Sequence, residues 1–409
     1  MQFSTVRMAW RNLGRNKRRT GLALLAIGVG QFALLASNGI MHGYMDNIKS
    51  AVTGPMVGHV QVYAPGWWEE RAMDLAIEGL GEVLEAVRSD GAVRNAAGRI
   101  FAPVLVAPKA DAFTAVVVGL ETAIEGQPYG MLSGLAERVE RGRVLLGYRL
   151  AKKIKAERGQ EIAIVGQGAD GSLANDLFVV QDIIKCPADL INQSGVVMEL
   201  ADAQDLFVMP DAAHMIVVRA EISGVAEELA ERFEQQEALA GLDISPWQEI
   251  VPELLTILDT ADYVGYIVLV LVFIAAIAGI TNTLMMSTFE RRHEFGMLLA
   301  LGSRPSRIVG MIVIEAILLG IAGVVVGTGL GYGFVAASSF SGIDMASWGG
   351  ESVKDIAYSG LNLPLHVYPR LEVFDTVLGL TAVMLTSLAA SLWPAWYAGR
   401  LEPREALHG

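Results

Sequence analysis

The chain has 409 residues, of which 53% are hydrophobic and only 18% are charged, whereas ordinary soluble domains carry roughly 25% charged residues. Its net charge of −13, with no basic cluster of the kind that binds phosphate backbones outside the N-terminal arm, argues against nucleic acid as a partner. The single cysteine excludes an internal disulfide and the cysteine-rich zinc and redox motifs.

Four stretches of the chain are almost free of charge and long enough to cross a bilayer core of about 30 Å, which needs roughly 20 helical residues. Residues 1–20, before the first of them, are predicted to form an amphipathic cytoplasmic helix. The first stretch also offers small residues typical of a signal-peptide cleavage site, but its long basic lead and apolar length favour an uncleaved anchor. We predict transmembrane helices at 21–43, 263–287, 308–335 and 373–397.

Lysine and arginine mark the side of the membrane on which each connection lies, because cytoplasmic loops carry an excess of both. Basic residues concentrate before the first span, between the second and third, and after the fourth. Both termini are therefore predicted to be cytoplasmic, with the large segment outside. The cytoplasmic connections are 288–307 and the tail 398–409, and the outer ones are 44–262 and the loop 336–372.

The segment 44–262 has the composition of a soluble α+β domain. Alternating or continuous apolar runs predict strands, and apolar residues at helical spacing predict helices at 80–90, 148–157 and 224–239. The predicted fold class is an α-helical membrane protein with four transmembrane helices plus an α+β periplasmic domain inserted between the first and second. The predicted strands are 59–64, 102–108, 114–120, 161–166, 177–184 and 214–219.

This segment also contains a break in its pattern and a pair of adjacent tryptophans. A break at 126–134 could separate two subdomains. The adjacent Trp67 and Trp68 are candidates for substrate handling, either gripping an apolar ligand or lying at headgroup level. Alternatively, they close the base of the domain.

No catalytic motif is recognisable. The sequence contains no nucleotide-binding P-loop, no H-E-x-x-H and no G-x-S-x-G, and its six histidines are scattered singly. We therefore predict that the chain is not an enzyme, has no catalytic residues and holds no metal.

The stretch "ERRHEFGMLLALG" (290–302) predicts a short amphipathic helix on the cytoplasmic surface. Gly302 ends it. The apolar residues that fall on or near one face are Phe295, Leu298, Leu299 and Leu301, with Met297. Such a helix either lies on lipid or docks into a groove of a partner. Its short apolar part favours docking.

The region 282–316 resembles the signature of the FtsX-like, MacB-type family of ABC transporter permeases. Phe295 replaces the usual isoleucine, and "WPAWYAGRLEPREAL" (393–407) is similar to the family's closing motif. The blocks 43–66 and 119–166 resemble the lipoprotein-releasing (LolC/LolE-type) branch more than the macrolide-efflux branch. The matching signature positions are Asn282, Thr283, Glu290, Arg291, Glu294, Gly296, Ala300, Leu301, Gly302 and Glu315.

This resemblance implies a bacterial inner-membrane permease that works by mechanotransmission. A dimer of ABC ATPase subunits would carry ATP and Mg²⁺, with no cofactor on this chain, and would push the coupling helix. A second permease copy or paralogue would complete the complex, which would extract lipoproteins or lipid-like cargo toward a periplasmic acceptor. The alternatives are a MacB-like efflux permease with an adaptor, or an FtsX-like regulator of a cell-wall hydrolase. The ATPase-coupling residues implied are Glu290, Arg291, Glu294, Phe295, Gly296, Leu298, Ala300, Leu301 and Gly302.

Several residues within the spans are candidates for polar or packing roles. An ionised Glu315 in the membrane costs on the order of 2–3 kcal/mol unless paired, so we expect it to bond to a basic residue of the N-terminal arm or to a hydroxyl. Gly323 and Gly327 suit close helix approach at a permease dimer interface, although glycine is also simply frequent in membrane helices. Gln31 and Asn38 either line the dimer seam or form interhelical hydrogen bonds.

Overall fold

The computed structural model describes residues 17–109, 111–135, 138–345, 347, 357–358, 361–362 and 366–401. Most of the predicted N-terminal amphipathic helix and residues 402–409 of the predicted tail lie outside these residues. The chain divides into two compact units. The helical unit comprises Met1–Met45, Leu258–Met345 and His366–Gly409, and the sheet unit comprises Asp46–Ile257 and Ala346–Leu365.

The α-helices are, in chain order, α1 (Lys17–Thr53), α2 (Trp67–Glu70), α3 (Leu80–Arg88), α4 (Thr122–Glu125), α5 (Tyr148–Ile154), α6 (Asp189–Ser194), α7 (Leu200–Leu206), α8 (Ala226–Glu234), α9 (Trp247–Ile250), α10 (Pro252–Glu290), α11 (Arg292–Ala300), α12 (Pro305–Ser341) and α13 (Val373–Gly399). The strands are β1 (Val60–Tyr63), β2 (Ile77–Glu78), β3 (Val93–Ala107), β4 (Phe113–Leu120), β5 (Arg143–Gly147), β6 (Glu161–Gln167), β7 (Leu173–Ile184), β8 (Gly195–Glu199), β9 (Ala212–Ala213), β10 (Met215–Ala220), β11 (Asp243–Pro246), β12 (Ile343–Asp344), β13 (Ala357–Tyr358), β14 (Leu361–Asn362) and β15 (His366–Val367).

Helices α1, α10, α12 and α13 are each long and apolar enough to cross a membrane. A helix satisfies its backbone polar groups internally, which is what a bilayer core without water demands. Helices α1 and α10 contain 37 and 39 residues, so at 1.5 Å per residue each is about 55–60 Å long. Each is therefore much longer than the predicted span and continues well beyond a bilayer core of about 30 Å.

Glycines on one face of α12 allow α1 to approach closely. A Cβ atom built on Gly323 would lie 2.5 Å from Ile27 Cγ2, and one built on Gly327 would lie 2.5 Å from the Gly28 carbonyl oxygen. Gly329, on the same helix, has open space around it. Gly323 and Gly327 therefore serve a contact within this chain, and a role at the contact between two permease chains stays a prediction.

We predict that Gly327→Ala destabilises the helical unit by about 1–3 kcal/mol, because the new methyl group would collide with backbone and the helices would have to separate. Gly329→Ala is the matched control and should leave stability unchanged or slightly higher, since alanine is the better helix former. Thermal unfolding of both variants in mild detergent measures the difference. Equal stability of the two variants would contradict the packing described here.

The sheet unit is built around a nine-stranded mixed sheet with the strand order β11-β1-β10-β3-β4-β8-β5-β7-β6. A further pairing between β3 and β6 closes the last six strands into a ring. The 15-residue β3 makes this possible, because its first half pairs with β10 and its second half with β4 and β6. All strands predicted from the sequence are present in this sheet, and β5, β8 and β11 are its additional members.

The helices of this unit cover the sheet through apolar faces. In α3 the buried residues Leu80, Val83, Leu84 and Val87 follow helical spacing. The expected subdomain break at 126–134 is instead part of the core, since Met131 is buried in one cluster with residues of β4, β5 and β8. No separate compact unit begins at this segment.

A fully buried ionic cluster lies where the end of α1 meets the sheet. Glu125, at the end of α4, accepts hydrogen bonds from Arg99 Nε at 2.8 Å and from an Arg219 terminal nitrogen at 2.7 Å. The Met131 amide donates to the same carboxylate at 2.8 Å. Burial disfavours the charge, yet Arg99 and Arg219 together hold the pKa of Glu125 below its ordinary value.

Three other nitrogens of the two arginines hold the chain that follows α1. Arg99 donates to the carbonyls of Met56 and Pro55 at 2.6 and 2.9 Å, and Arg219 donates to that of Gly54 at 2.8 Å. Carbonyls just past a helix C-terminus have no partner within the helix and carry partial negative charge. The cluster thus joins the end of α1 to the central strands β3 and β10.

We predict that Glu125→Ala lowers the free energy of unfolding of the sheet unit by about 3–5 kcal/mol, because it leaves two buried guanidinium groups without their carboxylate. The control is Glu228→Ala, which breaks an exposed ion pair with Arg232 and should cost about 0.5 kcal/mol. Denaturant titration of both variants gives the comparison. Similar costs would contradict the assigned role of Glu125.

Candidate coupling site

Helix α11 is a short helix between the second and third membrane-length helices. Arg291, with a φ of −102° and a ψ of 10°, interrupts the helical conformation and separates α10 from α11. At the other end Gly302 adopts a φ of 86°. Its amide donates to the Leu299 carbonyl, and the Ser303 amide donates to the Leu298 carbonyl, each at 3.0 Å. This pair of bonds is a Schellman motif, so Gly302 ends the helix as the sequence predicts.

One face of α11 is anchored in the helical unit. Phe295 is only 1% exposed and belongs to a buried cluster with Ile308 and Ile312 of α12 and Ala395 and Ala398 of α13. Leu299 packs against the same cluster. Any displacement of α11 is therefore opposed by the loss of this apolar contact with two membrane-length helices.

Arg291 is the polar counterpart of this anchor. Its guanidinium donates to Glu315 on α12 at 3.1 Å and to Glu294 at 3.4 Å. The same group lies 4.9 Å from the centroid of the Phe295 ring and donates a weak bond to the Met311 sulfur at 3.8 Å. Arg291 therefore links the break between α10 and α11 to α11 itself and to α12.

Glu315 is 5% exposed, which is an expensive position for a carboxylate without a partner. Its described partner is Arg291, which the sequence analysis did not predict. Arg7, Arg11 and Arg15 of the N-terminal arm lie outside the described residues, so a bond from that arm stays a prediction.

The opposite face of α11 is exposed. Leu298 and Met297 are 39% and 45% exposed, and Leu301 is 84% exposed. The sequence predicts that these residues share one face with Phe295, whereas in the structure Phe295 lies on the anchored face and these three lie on the exposed face. Three large apolar side chains so close together on a surface helix are typical of an interaction site.

The other predicted coupling and membrane residues have varied positions. Gly296 is a buried residue of α11, whereas Glu290 and Ala300 are exposed. Asn282 is exposed on α10. Gln31 is buried, and its amide group donates to Thr328 Oγ1 at 3.4 Å.

Asn38 belongs to a polar group that the sequence analysis missed. Its amide donates to Asp375 Oδ1 at 3.0 Å, and His42 Nε2 lies 3.2 Å from the same oxygen. Asp375 also closes a capping box with Glu372 at the start of α13. The Glu-x-x-Asp spacing before the fourth apolar stretch is the signal that could have revealed it.

The two adjacent tryptophans have different environments. Trp67 is 1% exposed and stacks on the His214 ring at a centroid distance of 5.5 Å, and Trp68 is half-buried. The Arg71 guanidinium lies 4.2 Å from the centroid of Trp67 and 4.0 Å from that of Trp68. Trp67 is thus part of the domain core, while substrate handling by the pair stays a prediction.

We predict that Arg291 and Glu315 are energetically coupled. Arg291→Ala and Glu315→Ala should each destabilise the helical unit, and the double variant should cost less than the sum by about 0.5–3 kcal/mol. The exposed pair Arg370 and Glu372, 3.0 Å apart, is the control and should show coupling below about 1 kcal/mol. Additive costs for Arg291 and Glu315 in a double-mutant cycle would contradict the contact.

In the described part of the chain, four membrane-length helices, a surface helix between the second and third, and a mixed sheet unit define a multi-pass membrane protein with a large extramembranous domain. The family described as FtsX-like permease C-terminal matches residues 266–403. The family described as MacB-like periplasmic core domain matches residues 20–236, more than half of the chain.

Individual relatives are distant. The macrolide export ATP-binding/permease protein MacB of Hyphomonas neptunium is 24% identical over 431 residues, covering 98% of this chain. The chain spans only 60% of the length of that relative. The lipoprotein-releasing system transmembrane protein LolC of Xylella fastidiosa is 21% identical over 424 residues, covering 96% of each chain. A crystal structure of the periplasmic region of MacB from Actinobacillus actinomycetemcomitans superposes with a TM-score of 0.34 at 12% identity, covering 48% of this chain and 92% of that one.

The chain belongs to the FtsX-like ABC transporter permeases that carry a MacB-like periplasmic core domain. It is a membrane permease, and α11 lies inside the region that defines the family.

Proposed function

We propose that this chain is the permease subunit of a bacterial inner-membrane transporter that works by mechanotransmission. ATP hydrolysis on a separate ABC ATPase dimer moves α11, and the long membrane helices carry that motion to the domain inserted between the first and second spans. That domain then extracts lipoproteins or other lipid-anchored cargo from the membrane. The two faces of α11, one anchored and one exposed, are the observation that carries the proposal.

The proposed ATPase contact is the exposed apolar face of α11. Met297, Leu298 and Leu301 offer large side chains to a groove on a partner, and helix-in-groove docking uses apolar anchors of this kind. Phe295 and Arg291 fix α11 to α12. A push on the exposed face is therefore transmitted to the membrane-length helices and does not only displace the connection between the second and third. ATP and Mg²⁺ belong to the ATPase in this proposal.

The proposed topology places both termini and α11 in the cytoplasm and the sheet unit in the periplasm. The arginines and lysines near the ends of the apolar stretches support it. A second permease chain, identical or paralogous, faces this one across the membrane. The lengths of α1 and α10 support a role as stalks, because both continue far beyond the thickness of a bilayer core.

Lipoprotein release is the favoured activity because the match to a LolC protein covers 96% of both chains. Macrolide-type efflux with a periplasmic adaptor is the second candidate, favoured by the match of residues 20–236 to the MacB-like core. Regulation of a cell-wall hydrolase is the third reading that the sequence allows. The structure of the described residues adds no observation in its favour.

We predict that Leu298→Asp releases the ATPase from the complex, because it places a charge in the apolar contact without touching the buried face of α11. Leu298→Met keeps the size and apolar character of the side chain and should retain the ATPase. Co-purification of the two variants in mild detergent measures the contact. If Leu298→Asp retained the ATPase as well as Leu298→Met does, docking on this face would be wrong.

Mass spectrometry of proteins and lipids that co-purify with the wild-type chain distinguishes the candidate activities. An ATPase together with acylated lipoproteins would support extraction from the membrane. An ATPase with a periplasmic adaptor and no lipoprotein would support efflux, and a hydrolase in place of the adaptor would support regulation. A complex that contains no ATPase would contradict all three readings.

A further inference from the structure

Strand β7 pairs with β6 along one edge, and its other edge is only partly paired. Residues 173–179 of β7 pair with β6, and β5 begins to pair with the opposite edge only at Val179. Among the described residues, no strand covers that opposite edge from Leu173 to Leu177. An uncovered edge of this kind is a template for an added strand.

The direction of the main-chain groups follows from two hydrogen bonds. The Val179 amide donates to the Gly142 carbonyl on the β5 side, and the Val180 amide donates to the Gln160 carbonyl on the β6 side. Because successive residues of a strand point their main-chain groups to alternate edges, Asn175 and Leu173 direct theirs toward the uncovered edge. The Leu177 amide also faces this edge, where the Asp176 carboxylate accepts it at 2.8 Å.

A groove of about 500 Å³ runs along this edge. Its far wall is α7 and the residues just after it, including Val208, which is 47% exposed. Leu173 and Leu177 on the near wall are 74% and 61% exposed and share one face of the strand. Alternating apolar side chains of an added strand would meet these leucines as cross-strand neighbours.

The charge of the groove is acidic. Asp176, Asp202 and Asp205 line it, and the one guanidinium among the lining residues is that of Arg141. Arg141 already donates to Asp202 at 3.1 Å and to Asp205 at 2.5 Å. The lining therefore keeps an excess of negative charge, which favours a basic occupant.

We propose that this edge, from Leu173 to Leu177, docks an extended segment of a partner protein on the same side of the membrane as the sheet unit. The segment adds to β7 as a short strand, with alternating apolar residues against Leu173 and Leu177 and a lysine or arginine toward Asp205. The site is separate from α11 and does not depend on which cargo the permease carries.

A photocross-linking experiment in whole cells tests the proposal on the full chain. p-Benzoylphenylalanine replaces Leu173, and a second chain carrying it at Leu190, a residue of α6 that is 37% exposed, is the positional control. Asn175→Pro removes the edge amide while leaving the β6 pairing, since proline is tolerated where the amide faces outward. Asn175→Ala removes only the side chain and is the matched control.

We expect a cross-link at position 173 to a peptide with alternating apolar residues and a lysine or arginine. Asn175→Pro should reduce its yield roughly tenfold through the loss of main-chain hydrogen bonds, whereas Asn175→Ala should not. Asp205→Lys should also reduce the yield, while Glu234→Lys, an exposed change on α8, should not. This second pair keeps the test decisive if Asn175→Pro fails to fold.

Three results would overturn the proposal. The first is a cross-link yield at position 173 that does not exceed the yield at position 190. The second is a cross-link within this chain or to a second copy of it. The third is a yield that neither Asn175→Pro nor Asp205→Lys reduces. None of these results bears on ATPase co-purification, so the proposed permease function would be judged independently.

Discussion

The carboxylate of Glu125 is the point at which the end of the first long helix and the centre of the sheet are held together. It accepts bonds from Arg99 on β3 and Arg219 on β10. The same arginines hold the three carbonyls that follow α1. Burial lowers the pKa of Arg99 to about 10, which still leaves it charged at neutral pH. A helix C-terminus, two strands and α4 thus share one fully satisfied network.

Such a network suits the proposed mechanism because its parts cannot move separately at low cost. Displacing the end of α1 without β3 and β10 would deprive buried guanidinium groups of their main-chain acceptors at Gly54, Pro55 and Met56. In the helical unit Arg291 has a similar role, because its bond to Glu315 joins α11 to α12. In the proposed mechanism both clusters resist local deformation. A push on α11 therefore moves whole helices as rigid bodies.

Patterns that depend on local spacing were predictable from the sequence. The four apolar stretches, Gly302 as the end of α11, and helices such as α3 follow from hydrophobicity and capping chemistry within a few neighbouring residues. The family resemblance of the region 282–316 agrees with the match to the FtsX-like permeases.

Contacts between distant parts of the chain were not predictable. The partners Glu125 and Arg219 are 94 residues apart, and nothing near either residue distinguishes it from a solvated charge. Gly323 and Gly327 were recognisable as packing residues, but a single sequence does not tell whether the neighbouring helix belongs to the same chain. The division of the α11 side chains between two faces, by contrast, follows from helical spacing, which places Met297, Leu298 and Leu301 away from Phe295 and Leu299.

In the proposed mechanism, motion at α11 reaches the end of α1 and the sheet. Hydrogen exchange measured by mass spectrometry on the complete complex, nucleotide-free and with ATP trapped, detects this coupling. We expect altered amide protection both in residues 292–302 and in residues 46–58, where the carbonyls bound by Arg99 and Arg219 lie. Altered protection confined to 292–302 in a complex that still transports its cargo would show that the motion does not reach the sheet.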